Sequence, residues 1–394
     1  MKTLLLLLLL PAGTALAQPT AQAPTYAQLL ERSGTQLQAR DYCAAVATFG
    51  QAFAPDSTRA NEFELFGAAS AAANCPAQRA QAWRWLGQLS RHRPLRMQPR
   101  DLDNVAHDPA LAPLQADAAW PRWLAAMRQA LAGQATAARA RSARWVAAAQ
   151  ARALPPLGSG ERKRGSFVAA QPGFALYFSQ VPNDTVRVPY LVRVPASYSP
   201  TRPAPMVVYL HGGVVSTAQF QYADPNVVEE PVFAAAPDDA LVVYPFGRTS
   251  FGWVAQPAAF AQVEAVVREV RAHYRTDPRG PVLGGMSNGG TAALWFASQR
   301  PEAFSGFYAL SPAAELPLGA PYGRLGQAKP CYQLSAQDDA MYPYAAVKAA
   351  YDAHRPQSPR WDLQAVPQGG HEFLYGPDGP ALLRQALARL CPKP

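Results

Sequence analysis

The stretch Val282-Leu283-Gly284-Gly285-Met286-Ser287-Asn288-Gly289-Gly290 constrains this chain more than any other. A short apolar run meets a serine bracketed by glycines and then opens into a helical pattern from Thr291 to Arg300. The order is strand, sharp turn, helix. In that context Gly-x-Ser-x-Gly predicts a strained turn that lifts the Ser287 hydroxyl above the end of a sheet. Gly285 and Gly289 are required there because side chains would collide with the neighbouring backbone. A serine presented in this way needs a base to take its proton and a pair of donors for the oxygen of a tetrahedral intermediate.

The surroundings supply a sheet for the turn to stand on. From Phe174 the apolar period is two: Phe174 to Pro182 and Val186 to Pro195 predict a hairpin turning at Asn183-Asp184. Apolar runs then follow at Met206 to Leu210, Ala240 to Tyr244, Pro281 to Met286, Gly306 to Leu310, Cys331 to Ser335 and Trp361 to Val366. Helical patterns separate them at Ala259 to Tyr274, Thr291 to Arg300, Tyr344 to Ala353 and Pro380 to Leu390. Short buried strands alternating with helices imply an α/β fold, a doubly wound, mostly parallel sheet covered on both faces.

The run Val207-Val208-Tyr209-Leu210-His211-Gly212-Gly213 ends an early strand in glycines whose backbone N–H groups can approach a ligand closely. An N–H at Gly212 or Gly213, with that of Asn288, would form an oxyanion hole. With these two motifs in place, residues 170–394 resemble the α/β-hydrolase superfamily, and within it secreted bacterial esterases. The resemblance implies a triad in the order nucleophile, acid, histidine, each just beyond a strand. After the strand at Cys331 comes Ala336-Gln337-Asp338-Asp339, similar to the family's Gly-x-x-Asp segment with Ala336 in place of glycine. The register makes Asp339 the acid and leaves Asp338 as the alternative. After Trp361 to Val366 comes Gly369-Gly370-His371-Glu372-Phe373, which puts His371 in the base position. His211 is the competing histidine, but in the family the residue at that place shapes the loop. Phe251, Trp253, Tyr322, Tyr342, Phe373 and Tyr375 follow strand ends, where the family builds its substrate pocket, and suggest an apolar or aromatic group on the substrate.

At 394 residues the chain is long enough for two domains, and the part before the sheet reads as helical. Tyr26, Leu29 and Leu30 share one helix face; Ala45, Phe49 and Ala52 fall at the spacing of a second; further helices are expected at Asn61 to Ala72 and Ala77 to Leu89. Paired helices of this size with small residues at their crossings resemble tetratricopeptide repeats, which implies an all-α unit over residues 25–153 able to bind a protein or polysaccharide. Asp101 to Leu124 reads as a capping segment, followed by an Ala- and Arg-rich helix from Ala130 to Ala153. Leu154-Pro155-Pro156-Leu157-Gly158-Ser159-Gly160 predicts a linker over 154–165, with the hydrolase domain at 166–394.

Lys2, the apolar run Leu4 to Leu10 and the small-residue site Ala15-Leu16-Ala17 predict a signal peptide over 1–17 and a flexible lead-in at 18–24. The apolar run is far short of the roughly 20 residues that a membrane span needs. Export places the four cysteines in an oxidising compartment, where disulfides are expected and three pairings are possible. Antiparallel helices bring Cys43 and Cys75 to the same end of the helical stack. In the hydrolase-like fold Cys331 starts a strand and Cys391 ends the last helix at the same edge of the sheet, which suggests a second bridge. No cysteine has metal-ligand spacing with histidines nearby, and neither metal nor cofactor is expected. Much of the net charge of +9 lies between Arg139 and Arg164, as on a solvated helix and linker, and an exported protein meets little nucleic acid, so no nucleic-acid partner is expected.

The leading expectation is therefore an exported serine esterase. A serine peptidase of the prolyl-oligopeptidase kind would use the same triad. A helical binding protein on an inactive hydrolase-like scaffold is the non-enzymatic alternative.

Overall fold

The computed structural model describes residues 23–155, 167, 169–181, 184–213, 220–248, 252–254 and 256–391. The signal peptide, most of the lead-in, most of the predicted linker, Asn183 of the hairpin turn and Phe251 lie outside the described residues. The chain divides into two compact units, residues 1–138 and 139–394.

In the first unit, α1 (Tyr26–Gln38), α2 (Tyr42–Phe53), α3 (Glu62–Ala73) and α4 (Arg79–Leu89) form two helical hairpins. Their starts are written locally. Thr25 and Asn61 cap α1 and α3, each in a reciprocal capping box with the residue three positions on, Gln28 and Glu64. Alanines at 68, 69, 71 and 72 of α3 are fully buried and let neighbouring helices approach. Phe49, Phe53 and Trp85 fill the core, with Trp85 set edge-on to both phenyl rings. Cys43 and Cys75 form a disulfide with Cα atoms 5.2 Å apart. The helices α5 (Pro99–Ala106) and α6 (Ala112–Gln115) follow. A single helix α7 (Ala119–Gln150) then replaces the expected break between a capping segment ending at Leu124 and a helix beginning at Ala130. Gly133, the one weak helix former near that point, is accommodated in its interior.

The second unit is built on an eight-stranded sheet: β1 (Gly173–Gln180), β2 (Arg187–Val194), β3 (Met206–Leu210), β4 (Leu241–Pro245), β5 (Val282–Met286), β6 (Gly306–Leu310), β7 (Cys331–Ala336) and β8 (Trp361–Val366). Their spatial order is β1-β2-β4-β3-β5-β6-β7-β8. The hairpin β1–β2 is antiparallel and β2 joins β4 antiparallel; every later pairing is parallel. Five strands from β3 to β7 are buried almost throughout, as strands covered on both faces must be. Side-chain alternation divides the core. Met206, Val208 and Leu210 of β3 pack with α9 (Pro257–His273) and α10 (Asn288–Gln299), while Val207 and Tyr209 pack with α8 (Pro231–Ala235) and α12 (Gly379–Leu390). The remaining helix, α11 (Tyr344–His354), places Tyr351 against the first of these cores. The end of α7 covers the second face, where Ala149 is buried and Trp145 meets Phe174 edge-on at 5.8 Å.

The same alternation overturns the expected bridge between Cys331 and Cys391, which are both free thiols. Cys331 points into the core on the α9/α10 side, whereas Cys391 packs with the core on the α12 side. The two share an edge of the sheet but stand on opposite faces, and an edge-level argument does not see that difference. Among the described residues no helix is long and apolar enough to cross a membrane.

Candidate active site

Ser287 ends β5 and starts α10 with φ 53° and ψ −115°, a conformation that side chains rarely adopt. Its N–H donates to the Leu310 carbonyl of β6, which fixes the turn to the neighbouring strand. The glycines follow from space. A Cβ at Gly285 would stand 2.2 Å from the Leu210 carbonyl oxygen, and one at Gly289 would stand 1.9 Å from the same atom. The helix therefore begins at Asn288, three residues earlier than its apolar pattern, because the pattern cannot register glycines.

Parallel register brings the other groups to the same place. Leu210 pairs with Gly285, Met286 with Leu310 and Ala336 with Val366, so the loops after β3, β5, β6, β7 and β8 all leave the C-terminal edge of the sheet. There His371 Nε2 lies 2.8 Å from Ser287 Oγ, and His371 Nδ1 lies 2.9 Å from Asp339 Oδ2. Asp339, 5 % exposed, also accepts the N–H groups of Met341 and Tyr342 at 2.8 Å each. Its neighbour Asp338 instead accepts the N–H groups of Gly370 and Gly369, at 2.8 and 3.0 Å, and these bonds hold its carboxyl below the usual carboxylate range. Ser311, just past β6, donates its hydroxyl to the His371 carbonyl at 2.8 Å, and the Tyr342 ring stands edge-on to the imidazole. Sequence reasoning missed Ser311, and only its position one residue past a strand could have drawn attention to it.

His211 is occupied at both nitrogens. Nδ1 lies 2.8 Å from the Gly212 carbonyl, and Nε2 accepts the Gly247 N–H at 2.9 Å. Burial pushes its pKa down, against a smaller upward pull from the Gly212 bond, so the ring is a neutral strut. Trp253, expected in the pocket, lies behind this loop. Its indole N–H donates to the His211 carbonyl, and its backbone N–H donates to Asn288 Oδ1. Gly212 runs close to the serine, since a Cβ there would stand 3.4 Å from the Ser287 Cβ, and Gly213 has φ 78°. Asn288 is the first residue of α10, where backbone N–H groups have no acceptor within the helix.

A cleft of about 460 Å³ opens over Ser287 and His371, lined by Gly212, Gly213, Val227, Glu230, Tyr244, Phe246, Arg248, Met286, Met341 and Tyr375 among others. Of the aromatics expected here, Tyr375 lines it. Phe373 is buried in the core, and Tyr322 stacks on His354 and Trp361. Tyr244 and Phe246 do line the cleft, although they sit at the end of β4 where a strand reading treats them as core.

This sheet order, with a strained serine after β5 and the histidine loop after β8, is the α/β-hydrolase fold. Within it, residues 181–368 match the Esterase family. Solved structures similar to it include a thermostable esterase (18 % identity, TM-score 0.44, 55 % of this chain and 61 % of that one). Another is the esterase Est2 of Thermogutta terrifontis with propionate bound (18 % identity, TM-score 0.45, 57 % and 97 %). A third is dipeptidyl peptidase 4 of Porphyromonas gingivalis (15 % identity, TM-score 0.43), of which the chain spans 35 %. No curated protein matches the sequence.

Proposed function

We propose that the protein is an exported serine esterase that cleaves a carboxylic ester through an acyl-enzyme intermediate. The observation that carries this reading is the continuous relay from Ser287 Oγ through His371 to Asp339, at 2.8 and 2.9 Å, opening on a cleft. Neutral His371 takes the serine proton at Nε2 as Oγ attacks the ester carbonyl, and returns it to the departing alcohol. Water then repeats the sequence on the acyl-enzyme. Asp339 holds Nδ1–H, which fixes the tautomer, and stabilises the imidazolium. The N–H groups of Asn288 and of Gly212 or Gly213 would receive the oxyanion. Neither metal nor cofactor has a part in these steps. The Cys43–Cys75 disulfide supports export to an oxidising compartment.

The test is labelling by a fluorophosphonate together with hydrolysis of nitrophenyl acetate, both abolished in Ser287→Ala at an unchanged melting temperature. Undiminished turnover in that variant would remove Ser287 from the mechanism. Faster cleavage of a matched anilide than of the ester would move the reading to a peptidase. Absence of labelling in the wild type would leave the scaffold reading.

A further inference from the structure

The cleft contains a carboxylate for which the hydrolytic relay has no use. Glu230, immediately before α8, is half-buried and, among the described residues, receives two long side-chain hydrogen bonds, from Tyr244 Oη at 3.2 Å and Tyr375 Oη at 3.5 Å. Among the described residues no Lys, Arg or His stands within ion-pair distance of it. The guanidinium in the same cleft, Arg248, is paired with Asp184. Asp224 and Glu372 also line the walls, so a chain of net charge +9 presents a cleft of negative sign beside its serine. Withdrawing a carboxylate from water without a cation is costly, and phenol hydroxyls at these distances offset little of that cost. Burial raises the Glu230 pKa accordingly, against the two hydroxyls that lower it. A cation supplied by the substrate would offset the cost, and the rings of Tyr244, Phe246 and Tyr375 line the space where such a group would lie.

We propose that Glu230, with Tyr244 and Tyr375, is a specificity site that selects esters bearing a protonated amine or quaternary ammonium group. The proposal rests on the ester-hydrolase reading above. Hydroxyl-rich neutral substrates fit less well, because a hydroxyl donating to Glu230 leaves its charge uncompensated, whereas an ammonium group neutralises it.

The experiment compares isosteric pairs. A nitrophenyl ester of an ω-amino acid is set against that of the chain-length-matched alkanoic acid, and acetylthiocholine against its dimethylbutyl isostere. The first pair places the cation on the acyl side and the second on the alcohol side. The wild-type kcat/KM ratio is expected to favour the ammonium member of at least one pair by about tenfold, the size of one charge-assisted hydrogen bond for the amine or of one partly desolvated cation–π contact for the quaternary ammonium. In Glu230→Gln that ratio should fall to about one, mainly through KM for the ammonium substrate. Hydrolysis of the neutral members without any ammonium preference in the wild type overturns the inference and leaves the esterase reading standing. A preference that survives in Glu230→Gln also overturns it. Activity toward no member, with Ser287 unlabelled by a fluorophosphonate, overturns the hydrolase reading and this inference with it. The wild-type ratio needs no variant and can overturn the inference by itself, whether or not Glu230→Gln folds.

Discussion

Asp338 and Asp339 are adjacent in the chain and hold opposite ends of one support: Asp339 meets the imidazole of His371 at 2.9 Å, while Asp338 ties down the backbone of Gly369 and Gly370 just before it. Asp339→Asn should therefore lower kcat by about 10⁴-fold, because an amide at this point selects the wrong imidazole tautomer. Asp338→Asn keeps one oxygen acceptor and should stay within about tenfold of the wild type. Steady-state kinetics on one ester decide between them, and a reversed ranking would reassign the acid.

The Asp338 contact also carries a sign in pH. Its carboxyl is held below its ordinary value by the two backbone N–H groups, so its contribution is complete above the unfolded-state value and is lost as pH falls through the lower, folded one. The His371 loop is therefore expected to keep its protection from amide hydrogen exchange across neutral pH and to lose it only in acid. Asp338→Asn should show the weaker protection at neutral pH and converge with the wild type in acid. Protection in the wild type that already declined near neutrality would point to a different group.

Much of this site is legible in the sequence because its parts are local. Strand, glycine-bracketed serine and helix form one contiguous run, and the histidine and acid follow recognisable strands. The remainder depends on which face a side chain takes or on contacts distant in sequence. Cys331 and Cys391 share an edge, yet alternation along β7 sends Cys331 to the other face. Glu230 precedes a five-residue helix that periodicity cannot detect, and it becomes notable only when the strand end at Tyr244 and the loop at Tyr375 converge on it. Trp253 sits where a pocket residue is expected but acts as a bracket for the loop at His211.

The glycines separate in the same way by their surroundings. Gly289→Ala puts a methyl group 1.9 Å from a backbone oxygen that cannot move without breaking β3 from the elbow. The expected loss is at least about 1–3 kcal/mol, with activity falling further because Ser287 shifts. Gly133→Ala, on an open face of α7, should raise stability by about 0.5–1 kcal/mol. Denaturant melts of both variants test the contrast, and a stable, active Gly289→Ala would contradict the crowding at the turn.

Thiol titration reads the cysteine arrangement directly. Two reactive thiols are expected in denaturant without reductant. In the native protein Cys391 should react ahead of Cys331, whose thiol pKa burial raises strongly, while that of Cys391 is pushed up to about 11. Removing the Cys43–Cys75 bridge, with its separation of 32 residues, should cost the first unit about 3–4 kcal/mol in the chain-entropy model. No titratable thiol in denaturant would restore the second bridge.

The last prediction concerns where an independent catalytic unit begins. A shortened chain starting near Arg164 retains all eight strands and the relay, and by the linker reading it should hydrolyse a small activated ester. The end of α7 argues for an earlier start. Ala149 is buried with Phe233 and Leu176, Trp145 covers Phe174 and donates its indole N–H to the Tyr222 carbonyl, and the Leu154 N–H donates to Tyr177 Oη. Each apolar side chain uncovered on that face forfeits up to about 1.5–3 kcal/mol, and a domain has only about 5–15 kcal/mol in total. A chain starting near Arg139 is therefore expected to fold and turn over nitrophenyl acetate at the full-length rate, and one starting near Arg164 to melt markedly lower or aggregate. Equal melting temperatures for the two would show that the α7 segment contributes nothing to the sheet it covers. A folded but inactive chain from Arg139 would mean that residues before it complete the active site.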